Sequence, residues 1–483
     1  MPKRSESRAD VLAACSAIVG KNHLFHAPED IASCLTDWRG RYHGRACALV
    51  RPGNAEEVSA LIRLCRDWKI PVVPQGGNTG LAGGATPDES GNALVLQTGR
   101  LRSVCKVDAE NASLTAEAGV TLKEAREAAL SAGFLLPLSL ASEGSCQIGG
   151  ILATNAGGIH ALRYGVARDL VLGLEAVLPD GEIWRGLSAL RKDNRGYDLR
   201  NLLIGAEGTL GVITAASFKL FPAPKERLAC WLNVDSPAVA LTLLKEVRAV
   251  FDAALTAFEL VCPLSFHLVR KHFPALLLPA APCAQWHVLC ELCDFQKDET
   301  AKASAISERA GEFFLAQIDA GTVRNAAVAS SATEERKRRN LWQWRENISE
   351  AQKREGVSVK HDISLPLACV PEFLSDIDAR LARVFPGVRH TAFGHLGDGN
   401  LHFNLSMPEA AANARFLSSE ARANRLVYDR VYELGGSISA EHGIGQLKRD
   451  ILPRYQSAAA LKVMRKIKFA LDPENLMNPG KLF

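Results

Sequence analysis

Apolar residues along this chain follow two spacings, and the change from one to the other marks out the elements. In Glu56–Trp68 they recur every three or four positions between charged residues, as in a helix that buries one face. Ile70–Pro74 is a short β-branched run that reads as a strand, and Gly76–Gly84 follows it as a glycine-rich loop. Leu170–Leu178 and Glu182–Trp184 flank Pro179-Asp180-Gly181, a hairpin signal because Asp-Gly supplies the left-handed turn conformation. A second strand pair is expected over Gly211–Leu220. The stretch from Ala46 to Phe221 therefore reads as α+β.

Beyond Pro222–Lys225 the glycine clusters stop and long amphipathic segments take over, among them Ala238–Phe251 and Glu334–Arg354, so a domain boundary is placed there. His287–Phe295 alternates like a strand. In the strand expected at Val357–Asp362, alternation puts Val357, Val359 and His361 on one side and Ser358, Lys360 and Asp362 on the other. Ala410–Ala423 reads as a helix, and Ala459–Phe483 as a helix followed by the loop Leu471–Gly480. The organisation expected is three parts: 1–222, 223–425 and 426–483. No repeat of solenoid length is present.

The first apolar stretch, Val11–Gly20, is short and preceded by Glu6 and Asp10. It fits an amphipathic first helix better than a signal or transit peptide, so a cytoplasmic location is expected. No apolar run reaches the roughly 18 to 20 residues that span a bilayer; Ala253–Leu264 is interrupted by Glu259 and Pro263. The 483 residues are enough for two large or three ordinary domains. Their 57 basic and 53 acidic side chains leave +4 without a Lys/Arg run, which argues against nucleic acid or an anionic membrane and for small-molecule partners. The 12 Cys read as reduced thiols, and Cys290 and Cys293 fall in a strand pattern rather than in a zinc or redox motif.

Candidate chemistry begins at Gln75-Gly76-Gly77-Asn78-Thr79-Gly80, directly after the expected strand. Such a loop can aim successive backbone N–H groups at a pyrophosphate. The dinucleotide GxGxxG and phosphate-loop GxxxxGK[ST] patterns are both absent. Further clusters follow at Ser142-Glu-Gly144, Gly149-Gly150, Thr154–Gly158 and Gly205–Gly211. Through PQGGNTGLAGG at Pro74–Gly84, IGGILATNAGG at Ile148–Gly158 and GAEGTLGVIT at Gly205–Thr214, nearly the whole chain resembles the FAD-binding oxidoreductases related to vanillyl-alcohol oxidase.

That resemblance implies an α+β fold: a two-part FAD-binding domain at 1–222, a cap or substrate domain at 223–425, and a C-terminal segment, 426–483, that returns to the flavin. It implies that Gln75, Gly76, Gly77, Asn78, Thr79 and Gly80 meet the pyrophosphate and that Ser142, Gly144 and Gly150 line the flavin. Asn155, Gly158 and Ile213 would flank the isoalloxazine or adenine, and Asn478 would close on the cofactor. His160 is a conceivable covalent anchor, but the branch resembled is non-covalent, so free FAD is expected.

In the tail, His395 and His402 lie seven positions apart across a glycine-broken loop, and His402 shares a strand face with Asn404. Glu441-His442-Gly443-Ile444-Gly445 adds a carboxylate and another imidazole. Two His and one Glu make a three-ligand site with an open position, which catalytic zinc favours, although manganese, cobalt or iron also accept such ligands. HLGDGNLHFN and EHGIGQLK resemble the D-2-hydroxyglutarate and D-lactate dehydrogenase branch. The resemblance implies His395, His402 and Glu441 as metal ligands and His442 as the base. A divalent metal lowers the pKa of a bound hydroxyl, an imidazole takes its proton, and the hydride passes to flavin N5.

Arg345 and Ser349 stand at i and i+4 in the expected helix, and Lys360 is on the polar side of its strand. Two cations suit a dicarboxylate. By the resemblance, Arg345, Lys360 and Asn404 are substrate-binding, while Ser349 replaces a usual threonine and His361 a common aromatic, which leaves the hydroxy acid open. The expected activity is metal-assisted, FAD-dependent oxidation of a D-2-hydroxy acid, D-2-hydroxyglutarate first and D-lactate or D-malate as alternatives. A non-catalytic flavin-binding subunit of a redox complex and a zinc hydrolase are the rivals from other classes. The sequence names no electron acceptor, so electron-transfer flavoprotein, a quinone or another carrier all stay open, and a homodimer is among the assemblies left open.

Overall fold

The computed structural model describes residues 8–279, 285–295 and 305–483. It divides into two compact units, one of Met1–Gly157, Val166–Pro222 and Glu441–Phe483, the other of Gly158–Gly165 and Ala223–Ala440. The first division falls at the Pro222 boundary read from composition. The second differs from the expected 425/426 boundary, because the helix Glu420–Glu433 runs across that point and is tied to the helix Val370–Val384 through Arg430 with Glu372 and Asp376.

The first unit holds two sheets. In the smaller, Ala48–Val50 and Val72–Gln75 both pair in parallel with Leu94–Gln97, and Leu24–Phe25 adds an antiparallel edge. The helix Ala55–Trp68 makes the crossover between the first two of these strands; Asn54 caps it by accepting from the Glu57 N–H, and its apolar stripe Val58, Leu61, Ile62 and Cys65 packs into the core. The glycine-rich loop leaves from the end of Val72–Gln75. The larger sheet is antiparallel, in the order Cys105–Asp108, Ser113–Glu117, Val212–Lys219, Val171–Val177, Ile183–Gly186. Its last two strands form the Asp180-Gly181 hairpin, with Gly181 at φ 86°. Gly211–Leu220 is not a strand pair but one strand, because both edges of Val212–Lys219 are used by partners from elsewhere in the chain.

The second unit is built on a seven-stranded antiparallel sheet. Its order is Asn325–Ser330, Glu226–Val234, Trp286–Asp294, Leu255–Val261, Arg389–Gly394, Asn400–Ser406, Val359–Ser364. Trp286–Asp294 carries Cys290 and Cys293 as buried free thiols, as the strand pattern required; Cys283 lies outside the described residues. Glu334–Arg354 is two helices, Glu335–Glu346 and Ile348–Glu355, parted at Asn347, whose side-chain amide bonds back to the Gln343 carbonyl at 2.9 Å. Ala410–Ala423 is likewise divided, into Ala410–Leu417 and the start of Glu420–Glu433. Among the described residues, no helix is long and apolar enough to cross a membrane.

Candidate active site

In the first unit the glycine loops converge because only glycine lets their backbones approach so closely. A Cβ on Gly77 would stand 2.0 Å from the Ser145 carbonyl oxygen, which presses the loop after Gln75 against the Ser142–Cys146 turn. Gly76 lies against Gly150, whereas Gly80, Gly144 and Gly150 look onto open space. Gln75 and Asn78 are spent on the protein itself. The Gln75 amide donates to the Cys34 and Ala85 carbonyls, and Asn78, at φ 52°, donates to the Ser33 and Thr36 carbonyls. Their side chains shape the loop, and its backbone is the part that can serve a ligand. Thr79 follows Asn78 in that loop, and Asn155 accepts from the Arg168 N–H at 2.9 Å.

Ile213 is buried in its strand. Asn478 is 2% exposed; its amide N–H groups reach the Gly84 and Glu207 carbonyls, and its Oδ1 is buried with no hydrogen-bond partner in the protein. A buried oxygen without a partner in the protein is a group that a bound polar ligand can satisfy. Lys468 holds these loops together, donating to the Thr209 and Met477 carbonyls at 2.8 Å each and pairing with Asp472. Lys468→Met leaves Asp472 buried without its cation, and the expected loss is about 3–5 kcal/mol of folding stability, read as a lower urea midpoint.

The Glu441–Gly445 loop belongs to the same unit. Its Glu441 carboxylate lies over Gly157, where a Cβ would come within 2.8 Å of Oε1. Glu207 anchors the next residues by accepting from the Ile444 N–H at 2.8 Å and the Gly445 N–H at 2.7 Å. Burial pushes the Glu207 carboxyl above its usual value against those two bonds. His442 is therefore carried on a loop that the Glu207 clamp fixes two residues after it and whose Glu441 packs close to Gly157.

In the second unit, register explains how scattered residues meet on one sheet face. Asp362 is opposite His402 and Lys360 opposite Asn404; Phe393 is the other neighbour of His402 and Thr391 that of Asn404; Val261 is opposite Phe393. Directly opposed residues share a face, as do alternate residues along a strand, so Glu259 joins the same face. His361 points to the other side, where its Nδ1 bonds the Phe403 carbonyl and its ring packs on Tyr428. Lys360 is exposed, and Asn404 is buried with its amide on Gln352 at 2.7 Å. Ser349 is exposed on the second of the two helices, so it does not continue the helix that carries Arg345.

His395 and His402 stand edge to face with ring centroids 5.8 Å apart. His395 Nδ1 lies 2.5 Å from Glu259 Oε1, so a ligand role for His395 falls to Nε2. The other oxygen of Glu259 accepts from Arg345 Nε at 2.6 Å, and the Arg345 guanidinium sits 4.8 Å over the Phe393 ring. Burial alone would raise the Glu259 carboxyl, but the His395 and Arg345 charges outweigh it and hold it at about 2. Asp362, fully buried, stands 3.9 Å from His402 Nδ1 and accepts from Asn400. Ala440 donates to the Asp362 carbonyl, and the chain runs on from there into Glu441 and His442. Gly158 and His160 belong to this unit; His160 is buried with Nε2 3.1 Å from Glu291, a structural pair rather than an exposed attachment point.

Sequence reasoning did not find Glu259, Asp362 or Glu207 as site residues. A lone acid in the buried run LTAFELV was the available signal for Glu259.

Residues 46–186 match the family described as FAD binding domain, and residues 223–482 match FAD linked oxidases, C-terminal domain. The chain is 38% identical over 476 residues to the mitochondrial D-2-hydroxyglutarate dehydrogenase of Bos taurus, covering 98% of this chain and 83% of that one. It is 36% identical over 457 residues to the D-2-hydroxyglutarate dehydrogenase of Xanthomonas citri pv. viticola, covering 94% and 93%. Among solved structures, p-cresol methylhydroxylase with substrate bound superposes at a TM-score of 0.75 with 15% identity, over 98% of this chain and 96% of that one, a likeness of fold.

Proposed function

This chain belongs to the FAD-linked oxidase family, and we propose from that premise which residues carry its reaction and on which acid. It is an FAD-dependent D-2-hydroxy-acid dehydrogenase, with D-2-hydroxyglutarate as its substrate. The observation that carries the substrate reading is the layout of one sheet face. Arg345 stands over Phe393 on one side of His402, and Lys360 beside Asn404 lies two positions along from the Asp362 and His402 pair, about 7 Å away. Two cationic anchors on either side of an imidazole pair fit a short diacid whose hydroxyl lies between its carboxylates.

The open faces of Gly80, Gly144 and Gly150 and the unsatisfied Asn478 oxygen fit FAD held without a covalent bond. The imidazole pair fits two donors of a divalent metal, zinc first, His395 through Nε2 and His402, with the Asp362 carboxylate 3.9 Å from His402 Nδ1, and the resemblance assigns Glu441 as the third donor. When bound, FAD supplies a hydride acceptor at N5 and the metal supplies a Lewis acid that makes the substrate hydroxyl more acidic. Arg345 and Lys360 would hold the two carboxylates, Asn404 would bond the Lys360-side carboxylate, and Ser349 would lie at the outer edge. His442 would take the hydroxyl proton while the Cα hydride leaves. Electrons would pass on to a separate carrier, with electron-transfer flavoprotein, a quinone or another acceptor all open, in the cytoplasm.

Turnover of D-2-hydroxyglutarate, D-malate and D-lactate by wild-type and Lys360→Ala enzyme tests the substrate reading. The expected result is a KM roughly 10–100-fold higher for the diacids, the worth of one charge-assisted hydrogen bond, and an unchanged KM for D-lactate. Equal effects on all three acids would overturn the dicarboxylate assignment.

A further inference from the structure

Leu255–Val261 is a central strand whose residues are all buried, and Glu259 is its one ionisable side chain. A carboxylate in such a place is retained only if its partners repay desolvation. Its partners are two groups with different tasks in the reading above: His395 on Oε1 and the Arg345 Nε on Oε2. We infer that Glu259 is a positioning residue serving both ends of the site, orienting His395 for the metal and Arg345 for the substrate carboxylate. This rests on the metal and substrate reading just given.

The chemistry on each side is specific. An imidazole whose Nδ1–H is held by a carboxylate is fixed in the tautomer that presents Nε2, and it becomes a more basic ligand. A guanidinium held by Nε, with Phe393 beneath it, presents its two terminal nitrogens outward as a fork. Among the described residues, no protein acceptor engages those two nitrogens. One carboxylate thus links the two functions, and no neutral side chain of the same shape can replace it. A glutamine offers one acceptor and one donor where two donors must be met.

The adjacent strand supplies a control. Glu291 is also buried, is also held at about 2, and also pairs with a histidine, His160, but it touches neither His395 nor Arg345. A generic penalty for neutralising a buried acid would appear at Glu291 as much as at Glu259.

The test uses full-length, FAD-loaded enzyme as wild type, Glu259→Gln, Glu259→Asp and Glu291→Gln. Zinc affinity is measured by competition with a chelator, and KM for D-2-hydroxyglutarate at saturating zinc. Glu259→Gln is expected to weaken zinc binding by about 10–100-fold and to raise KM by about tenfold or more, with kcat at saturation changing less than KM. Glu259→Asp, which keeps the charge, shifts both in the same direction by smaller factors, and it decides the matter if the glutamine variant fails to fold. Glu291→Gln leaves both within twofold. A response of only one quantity to Glu259→Gln, of neither, or an equal response to Glu291→Gln would overturn the inference. Wild-type enzyme that takes up no zinc would instead overturn the metal reading beneath it.

Discussion

His442→Ala enzyme is expected to keep a normal flavin spectrum while its reduction by D-2-hydroxyglutarate slows by about 10²–10⁴-fold, the usual worth of a positioned general base. The spectrum survives because the loop is held by other groups. Glu207 takes the Ile444 and Gly445 N–H groups, so removing the imidazole before them leaves both of these bonds in place. What is lost is the acceptor for the hydroxyl proton. Anaerobic stopped-flow absorbance measures this directly, since it isolates reduction from reoxidation. Reduction at near the wild-type rate would remove His442 from the role of base.

Dialysis against a chelator is expected to lower turnover by about 10³-fold, because a Lewis acid on the hydroxyl is worth several kcal/mol of transition-state stabilisation. The flavin spectrum should not change, since the cradle glycines and Asn478 contain none of the metal donors. Zinc should restore the wild-type enzyme but not His402→Ala. In that variant the edge-to-face imidazole pair is broken, and Asp362 is left beside an empty position on the sheet face. Full activity after exhaustive chelation, with metal content verified at zero, would show that the imidazoles act by hydrogen bonding alone. Asp362 predicts an intermediate case. Asp362→Asn should bind zinc more weakly than wild type without abolishing it, because it removes a buried negative charge 3.9 Å from His402 that favours a cation there.

The parts of this account legible in the sequence are those whose chemistry sits in short contiguous motifs. The glycine clusters, His395 to Asn404 and Glu441 to Gly445 each carry several of the candidate residues within about a dozen positions. The crossover helix and the Asp180-Gly181 hairpin were legible for the same local reason, through periodicity and turn chemistry. What escaped depends on partners far along the chain. Glu259 meets His395 136 positions away, Glu207 meets Ile444 237 positions away, and Lys468 meets Thr209 259 positions away.

No spacing rule announces such pairs; the only local hint is a charge where burial is otherwise complete. Pattern also misled where two elements share one periodicity. Glu334–Arg354 keeps a helical spacing across Asn347, so the break that separates Arg345 from Ser349 lies in a side-chain hydrogen bond rather than in the apolar rhythm. Gly211–Leu220 looked like two short strands because its alternation is irregular, and the sheet accommodates that irregularity with register shifts at Ile213/Ala215 and Ser217/Phe218.

Stereospecific hydride transfer to the flavin is read most directly from the visible absorption spectrum of zinc-replete enzyme under anaerobic conditions, before and after D-2-hydroxyglutarate, with the L-enantiomer as control. An oxidised flavin spectrum is expected to bleach with the D-form and to stay unchanged with the L-form. A flavin spectrum unmoved by the D-form, or bleached equally by both enantiomers, would contradict it.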